Sequence, residues 1–136
     1  MCANLRRASR AITQSYEDVL RPFGLSSSQL TILQVLERAG DLNQRQLSDL
    51  LVMDSTTLSR TLDIMIRHGW IAKRRGRDRR ERLLTLVRTG REKLRHALPA
   101  WESAQSRVQR RLGADRWNEL QQLSNEITNV FTTQGD

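Results

Sequence analysis

Residues 42–69 hold two short helical patterns only three residues apart, and that spacing limits the possible folds more than any other feature of the chain. The first pattern opens with Asn43-x-x-Gln46, a capping box in which each side chain satisfies the other residue's backbone N–H. Leu42 and Leu47 stand at hydrophobic-staple positions around it, and the pattern ends near Leu51. Val52, Met53 and Asp54 follow, with Asp54 placed to cap the next helix and Met53 and Leu58 forming a second staple. Leu58, Leu62, Met65 and Ile66 give that helix one apolar stripe, and Gly69 stops it. Two capped helices across so short a turn are expected to form a helix-turn-helix.

The next segment, Ile71 to Gly90, concentrates charge. Between Lys73 and Arg82 lie seven Lys/Arg and two acids, seven minus two leaving +5 of the chain's formal +8. β-compatible residues flank this run and Gly76 sits near its centre, so a short hairpin is expected rather than a disordered tail. Its tip is Arg77-Asp78-Arg79-Arg80-Glu81-Arg82, and Leu84 and Leu86 should face alike on one strand.

Helical patterns surround this centre. Leu5, Ala8, Ile12, Tyr16 and Val19 form a stripe from about Asn4 to Leu20, which Pro22 and Gly24 end. Ser26-x-x-Gln29 is another capping box, and its helix closes at Gly40. Beyond the hairpin, Leu94, Leu98, Trp101, Ala104, Val108 and Leu112 share a face. Pro99 lies inside that pattern and either kinks one helix or divides it into two. A last helix, about Asp115 to Thr132, carries Trp117, Leu120, Leu123, Ile127, Val130 and Phe131 inward.

The expected fold is mainly α with a small β-hairpin wing, a winged helix-turn-helix in the order α-α-α-α-β-β-α-α. One domain spans residues 1–136, with the winged lobe at 26–90 and dimerisation helices at 1–22 and 91–136. Amphipathic helices at both termini have apolar faces to cover, which favours a homodimer over closure within one chain.

A basic hairpin directly after a helix-turn-helix points to double-stranded DNA as the partner. The second helix of such a unit enters the major groove, led by its N-terminal residues. Here those are Ser55, Thr56, Thr57, Ser59 and Arg60. Hydroxyls can donate to phosphates or read base edges, and Arg60 can contact guanine bidentately. The helix N-terminus offers backbone N–H groups to a phosphate. Arg77, Arg79, Arg80 and Arg82 suit the negative potential of a narrow minor groove, while Asp78 fits a brace for a neighbouring Arg better than a DNA contact.

These residues resemble a known family. Asp78-x-Arg80 followed by Leu86 and Gly90 is similar to the wing signature of MarR-family transcriptional regulators. Ser55-Thr-Thr-Leu-Ser-Arg60 and Arg67-His-Gly-Trp-Ile71 resemble its recognition helix and that helix's end, and Asn4 to Thr13 looks like the first helix of some members. The resemblance covers nearly the whole chain. One departure is Val87, where the family usually has Thr, leaving Thr89 to cap the fifth helix. The resemblance implies Arg80 in the minor groove, Arg60 and the hydroxyls in the major groove, and a homodimer built by the first and last helices. It also implies a repressor whose DNA affinity falls when a small aromatic or carboxylate effector, or an oxidant, acts on it. Arg10, Gln14, Tyr16, Trp101 and Gln105 are the effector candidates, although Tyr16 and Trp101 also suit a core. Cys2 is the redox candidate, with Arg6 one turn along, against the plainer reading of a frayed terminal thiol.

Other classes fit less well. No metal site is expected, because His68 and His96 are separated by the wing and the single Cys has no companion. The sequence has no Gly-rich phosphate loop and no nucleophile–base set, so no enzyme and no cofactor is expected. No apolar run approaches the ~20 residues that span a bilayer. With one Cys, a reducing, cytoplasmic setting is expected. A winged-helix module that binds protein rather than DNA is the main rival reading.

Overall fold

The computed structural model describes residues 1–133, so Gln134, Gly135 and Asp136 of the expected 91–136 segment lie outside the described residues. The chain runs α1 (Cys2–Leu20), a 3-10 turn (Arg21–Phe23), α2 (Ser27–Ala39), β1 (Leu42–Asn43), α3 (Gln44–Leu51), α4 (Ser55–Arg67), β2 (Ile71–Arg75), β3 (Arg82–Leu86), α5 (Arg88–Leu112) and α6 (Ala114–Thr132).

Both capping boxes close. Ser26 Oγ accepts from Gln29 N at 3.1 Å while Gln29 Oε1 accepts from Ser26 N at 2.9 Å. Asn43 and Gln46 repeat the exchange at 2.8 and 2.9 Å. Each such cap contributes about 1 kcal/mol to its helix. The turn between α3 and α4 is tight enough to force Val52 to φ 51°, a left-handed conformation that costs a β-branched residue strain. Ser48 Oγ holds that turn by donating to Met53 O at 2.6 Å.

The sheet has three strands in the order β1-β3-β2, all antiparallel. The sequence reading gave only two. β1 pairs Leu42 with Leu84 and Asn43 with Leu83, and two residues are too few to show strand alternation. In the wing, Ile71 faces Leu86, Lys73 faces Leu84 and Arg75 faces Arg82. Leu84 and Leu86 are both buried, as their spacing required. Beyond them the inward row turns from apolar to basic, so the hairpin leaves the core half-way along its length.

The core joins α2, α3, α4 and the base of the wing through Leu30, Leu33, Leu47, Leu58, Leu62, Met65 and Ile71, all 2% exposed or less. α5 closes this core from the far side of Trp70. Val87 N donates to Trp70 O at 3.2 Å, and Thr89 Oγ1 donates to Gly69 O at 2.6 Å. Thr89 is therefore not the cap expected of it: Val87 occupies the N-cap position and provides no side-chain bond. Lys93 lies 5.2 Å from the Trp70 ring centroid and donates to Phe23 O at 2.6 Å, and His68 stacks on the same ring at 4.6 Å.

Pro99 does not divide α5, which runs unbroken from Arg88 to Leu112. α6 is the larger surprise. Its apolar residues do not face inward within the chain: Leu123 is 51% exposed, Ile127 43%, Val130 55% and Phe131 78%. α6 packs chiefly against α5, and one neighbour can cover only one side of a helix.

Gly90 tests the junction between α5 and Trp70. A Cβ there would lie 2.1 Å from Trp70 O and 2.7 Å from Leu86 Cδ1, with backbone unable to yield cheaply. Gly90→Ala should lose about 1–3 kcal/mol of stability, the range for overpacking a filled site. Urea unfolding checks this, and a midpoint equal to the wild type's would contradict the close approach.

Candidate nucleic-acid interface

α4 presents its polar face because Leu58, Leu62 and Met65 take the opposite one into the core. Ser55, Thr56, Thr57, Arg60, Asp63 and Arg67 are exposed. Their hydroxyls and charges are not equivalent. Asp54 Oδ1 accepts from Thr57 N at 2.9 Å, and Asp54 Oδ2 accepts from Thr57 Oγ1 at 2.6 Å. These bonds, the side-chain bond foremost, hold the Asp54 carboxyl below the usual carboxylate range. The expectation that the N-terminus of α4 is open to a phosphate therefore needs correction. The chain's own carboxylate sits there, and the backbone N–H groups of Thr56 and Thr57 both favour it.

Ser59 is also less free than its position suggested. It is half-buried, and its Oγ accepts from Gln44 Nε2 at 2.6 Å, tying α4 to the first residue of α3. Gln44 was not foreseen as part of the site. The bond joins residues in two different helices, and no local spacing announces it. Ser55, Thr56 and Arg60 remain the least committed members of the expected set.

The wing tip is built by backbone bonds. Gly76 N donates to Glu81 O and Glu81 N to Asp78 O, each at 3.0 Å. Asp78 braces Arg80, but through the Arg80 backbone N–H at 3.1 Å rather than through a guanidinium. Arg82 is not at the tip. It begins β3, and its Nη1 donates to Arg79 O at 3.0 Å. Arg74 pairs with Asp41 and so anchors the wing beside β1. Arg77, Arg79 and Arg80 are exposed and make no ion pair among the described residues. Arg75 and Arg82 face each other directly across the ladder, where like charges destabilise unless an anion relieves them.

The other candidates are placed as follows. Tyr16 and Trp101 come together, stacked at 5.9 Å between α1 and α5, and burial pushes the Tyr16 phenol pKa up. Gln14 is spent on Asp18 at 2.9 Å. Arg10 is exposed along a shallow groove with Asn4, Arg7, Ala8 and Ala11, and Gln105 is half-buried on α5. Cys2 is an exposed free thiol at the first residue of α1. Among the described residues no group of three or more His, Cys, Asp or Glu could hold a metal ion, and no helix is long and apolar enough to cross a membrane.

Residues 23–81 match the family model for the MarR family. YwoH, an uncharacterized HTH-type transcriptional regulator of Bacillus subtilis, is 32% identical over 89 residues. That match covers 65% of this chain and 65% of YwoH, slightly under two thirds of the relative's own length. The crystal structure of the M. tuberculosis transcriptional regulator MosR in complex with DNA superposes with a TM-score of 0.87 at 28% identity, covering 100% of this chain and 98% of that one. A mutant of E. coli MarR complexed with operator DNA gives a TM-score of 0.83 at 19% identity, over 92% of this chain and 91% of that one, a likeness of fold.

Asp54 yields a prediction with a definite sign. Folding lowers its pKa, so its cap stabilises α4 above the ordinary carboxylate value of about 3.9 and loses that effect as pH falls through the lower folded value. Asp54→Ala should melt below the wild type at neutral pH, and the gap should close on acidification. Thermal melts across the acid range check this, and a gap that survives full protonation would contradict an ionised cap.

Proposed function

We propose that the chain is a MarR-family DNA-binding transcriptional regulator that acts as a homodimer on a palindromic site. The observation that carries this reading is the division of charge on the wing. Arg74 is neutralised at its base, while Arg77, Arg79 and Arg80 at the tip are exposed without a protein partner among the described residues. An exposed cluster of like charge is held together at a cost unless a polyanion meets it, and duplex DNA supplies one charge per ~1.7 Å of helix axis. That MosR and E. coli MarR form the complexes with DNA named above supports the same partner.

In this reading α4 lies in the major groove and presents Ser55, Thr56 and Arg60 to base edges, while Arg80 at the wing tip enters the flanking minor groove. A protein module without DNA binding would have no use for the unpaired tip. The apolar strip of α6 supports the dimer: Leu120, Leu123, Ile127 and Val130 repeat at helical spacing and are 38–55% exposed. Burying them against a second copy would place two recognition helices on one DNA face, ~34 Å apart for adjacent half-sites. Occupying a site over a promoter excludes other proteins from it, so we assign repression. The Tyr16–Trp101 stack at the α1–α5 contact is the aromatic wall for an effector, and exposed Cys2 the position open to an oxidant.

Arg80→Ala should weaken DNA binding with the fold intact and make the slope of log affinity against log salt shallower by about 0.9, the value of one phosphate contact. Binding titrations over a salt series check it, and an unchanged slope would remove Arg80 from the interface. Leu123→Glu combined with Ile127→Glu should convert dimer to monomer in sedimentation at micromolar concentration. A double variant that sediments as the wild type does would show that α6 is not the dimer face.

A further inference from the structure

Thr57 differs from the other exposed hydroxyls of α4 in one respect: its hydrogen-bond polarity is fixed from within the protein. Its Oγ1 donates to Asp54 Oδ2 at 2.6 Å. An ionised carboxylate only accepts, so the hydroxyl proton has to point at Asp54. Asp54 is ionised at neutral pH, since its hydrogen bonds hold its pKa below the usual carboxylate range. What Thr57 can offer an outside partner is therefore a lone pair. Thr61 spends its proton in the same way, on Thr57 O at 3.0 Å, but Thr61 is half-buried, whereas Thr57 is exposed. Ser55 and Thr56 make no side-chain hydrogen bond among the described residues and keep both polarities.

This restricts what Thr57 can meet on a duplex. Phosphate oxygens are acceptors, and a lone pair facing them gains nothing. In the major groove, purine N7, guanine O6 and thymine O4 are also acceptors. The donors there are the exocyclic amines, N6 of adenine and N4 of cytosine. The neighbouring Asp54 carboxylate adds to the same preference, since it repels phosphate and attracts N–H.

Resting on the DNA-reading role proposed above, we propose that Thr57 is a specificity-determining residue. Polarised by Asp54, its hydroxyl accepts from the amine of an adenine or cytosine at one position of each half-site. Asp54 is the positioning residue that sets this polarity. The two residues lie three apart at the start of the helix that leads into the groove, where base-edge contacts concentrate.

Asp54→Asn separates polarity from structure. Asn caps helices about as well as Asp, and its Oδ1 can still accept from Thr57 N. Its amide would then donate to Thr57 Oγ1 where the carboxylate accepted, which frees the Thr57 proton to point outward. Full-length wild type, Asp54→Asn and Thr57→Val are each used to select from a library of duplexes with randomised half-sites, after circular dichroism confirms that each is folded. The wild type should enrich adenine or cytosine at one position by about 3- to 10-fold, the effect of one net hydrogen bond. Asp54→Asn should move that position toward guanine or thymine, and Thr57→Val should lose the preference there while the other positions keep theirs.

If Asp54→Asn selects the same base as the wild type, or Thr57→Val keeps the preference, the polarity assignment is overturned and DNA reading stands. Should Asp54→Asn not fold, Thr57→Val decides alone. A wild type that enriches no sequence overturns the DNA reading itself, and this assignment with it.

Discussion

Two backbone carbonyls, those of Gly69 and Trp70, hold the three working parts of this molecule in one arrangement. They follow the end of α4 and lead directly into the wing. The first turn of α5 closes on them through Val87 N, the Thr89 hydroxyl and the Cβ-less face of Gly90. Trp70 beneath them is 7% exposed, and its ring meets His68 and Lys93. Gly69 is exposed, but Trp70 is buried, and a buried carbonyl left without a partner costs about 1–3 kcal/mol, so the bond from Val87 N to Trp70 O resists opening. A shift of α5 is therefore passed to the end of α4 and the base of the wing together. In the regulator proposed above, that coupling would carry events at the terminal helices to α4 and the wing.

The polar surface divides its labour by how each group is already engaged. On α4, Asp54 and Thr57 satisfy one another, Gln44 holds Ser59, and Ser55, Thr56 and Arg60 are left for a partner. On the wing, Arg74 is anchored by Asp41, and the tip arginines are kept apart by a turn made of backbone bonds. Exposed ion pairs contribute about 0–1 kcal/mol each, so these pairings matter less for stability than for deciding which charges remain available. Arg91 with Glu37 at 3.0 Å is similar: a modest link that helps set α5 against α2.

The same logic applied to apolar groups explains α6. The chain has 38% hydrophobic residues, enough for the lobe's core. α6 nevertheless leaves residues such as Ile127 and Phe131 in water. A stripe of large apolar side chains continuous over several helical turns marks an interaction surface rather than a scatter of isolated residues. Its period of three and four residues suits another helix packed along it.

Much of the architecture was legible in the sequence because it is decided locally. Capping boxes, staples and helix-ending glycines act over three or four residues, and they placed α2, α3 and α4 almost to the residue. Alternation put Leu84 and Leu86 on one buried face, and charge density located the wing. Only the tertiary structure decided what depends on residues far apart. The pairing of Leu42–Asn43 with Leu83–Leu84 needs a partner forty residues on, as the register records. Thr89 had the composition of a cap but bonds Gly69 O, twenty residues back, because the close approach at Gly90 brings that carbonyl within reach. The helical period of α6 identified which residues are apolar but not what they face, since a pattern records a face and not its partner. The hydroxyls of α4 were visible as donors and acceptors. What Thr57 offers depends on Asp54, because a proton can be committed only once, while Ser59 spends a lone pair on Gln44 and Ser55 and Thr56 keep both polarities.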